Sequence, residues 1–270
     1  MPTRTTTLPP KPIDPGFVCY TAANGVDTKP IVDALAKLTA RPMAHWNLGN
    51  KEEPDYTYSM QNIGDASAVD VMADYEPAQP HRLGFHWAKV LNVVDLALCH
   101  KNPFCMGVST FLPGMSPTER QAAEVIIGQL GLTVVVDIYP SSKQVSYVRA
   151  EYENWASQRL GLAQSIVTAS KRFASPDRQP KLAVAIGLRD RPVKQEKPGV
   201  DVHYQSKPLP SDWLESQVAV VRAFEKTRVS EDNAGTVVWG FGKDDQFIKE
   251  DAASLATIGG LLGGRHNEHC

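Results

Sequence analysis

The stretch from Ser116 to Phe173 constrains the fold of this 270-residue chain more than any other part of it. It opens on Ser116-Pro117-Thr118-Glu119. That pattern puts a hydroxyl at the N-cap, a proline at the first helical position and a carboxylate at the third, so a helix starts there. Ala122, Val125, Ile126 and Leu130 form its apolar face, and the helix runs to Gly131. Leu132–Tyr139 is β-branched and reads as a strand. The turn Pro140-Ser141-Ser142-Lys143 and a second strand at Gln144–Val148 make the pair a β-hairpin. A long helix from Arg149 to Phe173 follows, with Trp155, Leu162, Ile166, Ala169 and Phe173 on the face expected to be buried.

The rest of the chain carries weaker versions of the same signals. Phe17–Ala22, Lys181–Leu188, Val200–Gln205 and Thr236–Phe241 read as strands. Helices are expected after Thr28 (Ile31, Leu35, Leu38), over Leu83–His100, from Ser211 to Thr227 (Leu214, Val218, Val221) and over Asp251–Leu262. Residues 41–82 are polar, proline-containing and spotted with aromatics, so they read as irregular with one short helix around 66–74. Long helices mixed with a hairpin and a few short strands indicate an α+β fold, helix-rich and without a linker that would divide it. Three regions follow: an extended Thr/Pro-rich arm over 1–16, a globular α+β domain over 17–258 and a Gly-rich C-terminal tail over 259–270. The arm's five prolines fix φ and remove backbone donors, which suits an extended segment laid on a neighbouring subunit.

Charge is unevenly spread. Between Lys143 and Lys207 stand twelve Lys/Arg and six Asp/Glu, a net +6, while the rest of the chain carries sixteen against twenty-four, a net −8. Such a block attracts anions, nucleic acid above all, or an acidic surface on another copy. Its candidate nucleic-acid contacts are Lys171, Arg172, Arg178, Lys181, Arg189, Arg191, Lys194 and Lys197, with Tyr147, Tyr152, Trp155 and Tyr204 near enough in sequence to stack on bases. Asp177, Asp190 and Glu196 interrupt the block and can neutralise part of it.

No nucleophile elbow, zinc-protease helix or Walker-type loop occurs. Gly240-Phe241-Gly242 starts a dinucleotide loop, but Asp245 stands at the third glycine position, where its charge repels a pyrophosphate. His81, His86 and His203 are candidate general bases, with Asp95, Asp137 or Asp201 as partners, but nothing in the sequence brings them together. Cys99, His100 and Cys105 are spaced too loosely for a zinc pair, so neither metal nor cofactor is expected. Four scattered cysteines point to an intracellular, cytoplasmic location or the interior of a virion, and no apolar run is long enough to span a bilayer.

These features support a non-enzymatic, self-assembling protein of coat or nucleocapsid type. It would join other copies of itself through the N-terminal arm and bind RNA or DNA through the 143–207 surface. The alternative is an enzyme or small-ligand-binding protein acting on an anionic metabolite, with Arg189, Arg191 and Lys194 holding the anion.

Overall fold

A run that is apolar on both faces must be covered on both faces. Thr133–Asp137 and Lys181–Gly187 are such runs: Val134, Val135, Val136 and every residue from Leu182 to Ile186 are buried. The computed structural model of the chain describes residues 17–21, 41–47, 70–74, 104–107, 116–140, 148–189, 207–227, 233–241 and 245–263. Within them the two runs are strands of one parallel sheet. It is built from β1 (Phe17–Thr21), β2 (Arg41–Asn47), β3 (Asp70–Asp74), β4 (Phe104–Gly107), β5 (Thr133–Asp137), β6 (Lys181–Gly187) and β7 (Asn233–Phe241). The strands stand in chain order, each parallel to its neighbours, and β7 pairs with β1 to close a barrel.

Parallel neighbours need a crossover between them, and among the described residues helices supply it from β4 to β7. These are α1 (Pro117–Leu130) between β4 and β5, α2 (Arg149–Ser170) between β5 and β6, α3 (Ser211–Glu225) between β6 and β7, and α4 (Asp245–Gly263) after β7. One turn of 3₁₀ helix, Lys171–Phe173, continues α2.

The mixture of helix and strand expected from the sequence is present, and the helices at 117, 149 and 211 begin where the signals put them. Several details differ. Both edges of β5 are occupied by parallel neighbours, β4 and β6, and the strand expected to complete a hairpin with it lies outside the described residues except for Val148. Residues 41–47 and 70–74 are strands, not irregular chain or helix. Both runs are short and polar-spotted, and pairing along the barrel, not local propensity, makes them strands. A four-residue strand at Phe104–Gly107 likewise had no signal of its own. The last helix starts at Asp245, six residues before the expected Asp251, and ends at Gly263, one past the expected Leu262. The 1–16 arm, the helices expected after Thr28 and over Leu83–His100, and the strand expected at Val200–Gln205 lie outside the described residues.

Two glycines set how α1 packs. Gly131 has φ +60°, a conformation that costs other L-residues, and ends the helix in a Schellman turn. Its N–H donates to Gly128 O, and the Leu132 N–H donates to Ile127 O. Gly128 faces the end of α2, where an added Cβ would collide with Ser170 O. The two helices touch there because no side chain intervenes.

The face α2 turns to the core is Tyr152, Ala156, Leu160, Ala163, Val167 and Ser170, with Ile166 beside it. This is rotated from the expected stripe: Trp155 and Leu162 are only half-buried. Small Ala156 and Ala163 are fully buried on this face. Trp155 instead lies on the flank, with the Arg159 guanidinium 5.4 Å from its ring centre.

Candidate functional site

Closing a parallel barrel gathers the carboxyl ends of all its strands around one rim. Ligand and catalytic groups of such barrels come from these strand ends and the loops after them. Here the rim is formed by Thr21, Asn47, Asp74, Gly107, Asp137, Gly187 and Phe241. The opposite rim begins with Phe17, Arg41, Asp70, Phe104, Thr133, Lys181 and Asn233.

Register decides which of the carboxyl-end residues are neighbours. Thr21 is level with His45, Asn47 with Asp74, and Asp74 with Gly107. Residues in register on adjacent parallel strands, about 4.8 Å apart, share a face, as do residues two apart on one strand. His45, Asn47 and Asp74 therefore occupy one face at the end of β2 and β3. Histidine, asparagine and aspartate are residue types that can exchange a proton and hydrogen-bond a polar ligand. Sequence reasoning missed all three because 41–82 was read as irregular. The signal available was the pair of short runs Met43–Trp46 and Val71–Ala73, each flanked by polar residues.

On the next part of the rim the charged groups hold the barrel to its helices. Asp137 is buried, and its Oδ1 accepts a hydrogen bond of 2.8 Å from Arg159 Nη2. Arg159 Nε donates to the Asp137 carbonyl at 3.0 Å. Two turns earlier on α2, the Tyr152 hydroxyl donates to Ile138 O at 2.7 Å, and its ring meets Trp213 of α3 edge-on. Burial, with Glu153 adding a smaller push, raises the Tyr152 phenol far above its usual range. Gln217, fully buried on α3, takes over where β5 has ended. Its Oε1 accepts from Gly187 N and its Nε2 donates to Gly187 O. Just beyond, Arg189 bridges Pro208, and Leu209 N donates to Leu188 O, which pins both ends of the chain between β6 and α3.

The predicted nucleic-acid residues separate into three groups. Arg189 is not on a surface: it is buried and its Nε donates to Asp251 Oδ1 at 2.7 Å. A guanidinium inside an ion pair in the core is unavailable to a phosphate, so Arg189 drops out of both the nucleic-acid set and the proposed anion clamp. Arg172, Arg178 and Lys181 are exposed and Lys171 half-buried, all at the rim opposite the carboxyl ends. Arg172 is partly committed, donating to Glu124 Oε2 at 2.9 Å while Arg120 Nε holds Oε1. Asp177 nearby is kept ionised below the ordinary carboxylate range, chiefly by a hydrogen bond from Ser175. Arg191, Lys194 and Lys197 lie outside the described residues, as do His81, His86, His203, Asp95 and Asp201. Among the described residues no group of three or more His, Cys, Asp or Glu is placed to hold a metal ion. No helix among them is long and apolar enough to cross a membrane.

No family model matches the chain, and no curated protein does either. Solved structures resemble it loosely, among them the following two. The spore cortex-lytic enzyme SleL of Bacillus megaterium aligns over 93% of this chain and 76% of its own at 9% identity, with a TM-score of 0.43. A putative short chain dehydrogenase/reductase family oxidoreductase of Aeromonas hydrophila subsp. hydrophila aligns over 83% and 98% at 11% identity, with a TM-score of 0.30. Neither superposition is close enough to carry an argument about fold or activity.

Proposed function

We propose that the chain acts on or binds a small polar molecule at the carboxyl-end rim of its barrel. The observation that carries this reading is the register that puts His45, Asn47 and Asp74 on one face where β2 and β3 end. His45 and Asp74 would serve as proton-transfer partners and Asn47 as a hydrogen-bonding group that orients the ligand. The anionic-metabolite version loses Arg189, which is neutralised by Asp251. A neutral polyol or amide is the better fit to a rim whose identified groups are a carboxylate, a carboxamide and an imidazole. A thermal-shift panel of sugars, sugar phosphates, carboxylic acids and nucleotides tests it. Stabilisation by one class, lost in Asp74→Asn and His45→Gln, is the expected result. Stabilisation that survives both substitutions would move the site elsewhere.

A second reading is favoured by one separate observation. Arg172, Arg178 and Lys181 are exposed together at the opposite rim, where the basic stretch passes from α2 into β6. This supports the nucleic-acid-binding, coat- or nucleocapsid-type assembly expected from the sequence, with the 1–16 arm joining copies. Fluorescence anisotropy with a single-stranded oligonucleotide at several salt concentrations distinguishes it. Arg178→Ala with Lys181→Ala should flatten the salt dependence by about one counterion per lost phosphate contact. An unchanged slope removes this surface from consideration.

A further inference from the structure

On the outer wall of the barrel, α2, α3 and α4 enclose an open cleft of about 880 Å³. Its lining includes Ala219 and Ala223, both exposed, and charged residues of both signs. The exposed ridge of α3 runs through Asp212, Glu215, Ala219 and Lys226, with half-buried Arg222 beside it. Along it Asp212 and Glu215 come first, Ala219 stands in the middle, and Arg222 and Lys226 come last, with exposed Glu225 next to Lys226. Helix dipoles favour this order within one helix. It also makes the ridge complementary to itself when reversed.

We infer that this ridge is a two-fold contact with a second copy of the chain, the two α3 helices crossing antiparallel at Ala219. The spacing carries the argument. Asp212 and Lys226 are each seven residues from Ala219, and Glu215 and Ala223 are each four away. Reversal about Ala219 therefore sets Asp212 opposite Lys226 of the partner subunit, and Glu215 between the partner's Arg222 and the partner's Lys226. Seven residues of helix are about 10.5 Å, so the charged ends stand clear of the crossing point while Ala219 lets the axes approach. An isologous contact of this kind needs only one self-complementary patch. Charges already present position the ridge without exhausting it. Arg149 pairs with Asp212 at 2.7 Å with both side chains about half exposed, and Arg222 donates one N–H to Leu261 O. The guanidinium has further donors for a partner carboxylate. This contact lies on the outer wall and does not depend on the ligand reading.

Light scattering on the full chain at about 100 µM tests it, the range in which a contact of this size and polarity populates a dimer. The expected mass is twice the 29.6 kDa of one chain. Asp212→Lys and Lys226→Glu should each weaken the dimer about tenfold or more, and the double variant should regain much of it, because the Asp212–Lys226 pairing is restored with signs exchanged while Glu215 keeps the partner's Arg222. Ala219→Arg should abolish it, with circular dichroism verifying an unchanged fold. A wild-type monomer, a dimer indifferent to these changes, or a double variant that fails to recover would each overturn the proposal.

Discussion

Arg189 Nε lies 2.7 Å from Asp251 Oδ1, and both side chains are almost completely removed from solvent. The pair ties the exit of β6 to the second turn of α4, across the top of the barrel wall. Removing one partner leaves a lone charge in the core. Arg189→Leu and Asp251→Leu should each cost about 3–5 kcal/mol in denaturant unfolding. Replacing both together should recover much of that loss, which an equilibrium urea titration of the three variants would show.

Close approach at Gly128 gives a second expectation. Alanine there must displace Ser170 O and the Phe173 side chain, so Gly128→Ala should destabilise by about 1–3 kcal/mol. Gly131→Ala should cost about 1–2 kcal/mol through the left-handed backbone alone. The added methyl also meets the Arg178 backbone. Thermal melts of both variants check the order of magnitude, and a neutral Gly128→Ala would mean the α1–α2 contact is looser than described.

Tyr152 makes stability fall at alkaline pH. Its phenol titrates higher in the folded chain than in the unfolded one, because burial disfavours the phenolate. Its stabilising contribution is fully present below the unfolded value near pH 10 and is lost as pH rises beyond that. Tyr152→Phe should lower stability at neutral pH by about 1 kcal/mol, since Ile138 O loses its donor. Its alkaline decline should be shallower than the wild type's between about pH 9.5 and 11. Urea midpoints across that range measure both effects.

Trp155 and Tyr152 should rank oppositely to a simple expectation from size. Tyr152→Ala opens a cavity in the core and should cost about 3–5 kcal/mol. Trp155→Ala removes a half-buried ring and its contact with Arg159, and should cost about 1–2 kcal/mol. Equal losses would place the indole in the core after all.

The parts of the fold that could be read from the sequence are those where local and tertiary signals agree. Ser116–Glu119, the Val-rich run after Gly131 and the α3 stripe of Leu214, Val218 and Val221 each name their element unaided, and each is found there. The strands at Arg41–Asn47, Asp70–Asp74 and Phe104–Gly107 were not legible. They are short, and what makes them strands is pairing with neighbours more than twenty residues away. The rim groups His45, Asn47 and Asp74 were lost with them. The basic stretch was legible as composition only. Sequence could not show that Arg189 turns inward to Asp251, because Asp251 is sixty-two residues further on.

The most direct test of the account follows the backbone amide shifts of isotopically labelled chain during titration with the ligand class that gives the largest thermal shift. The account predicts changes concentrated at the carboxyl ends of the strands, around Thr21, His45–Asn47, Asp74 and Gly107. Changes confined to Gly131, Arg178 and Lys181 at the opposite rim would contradict it.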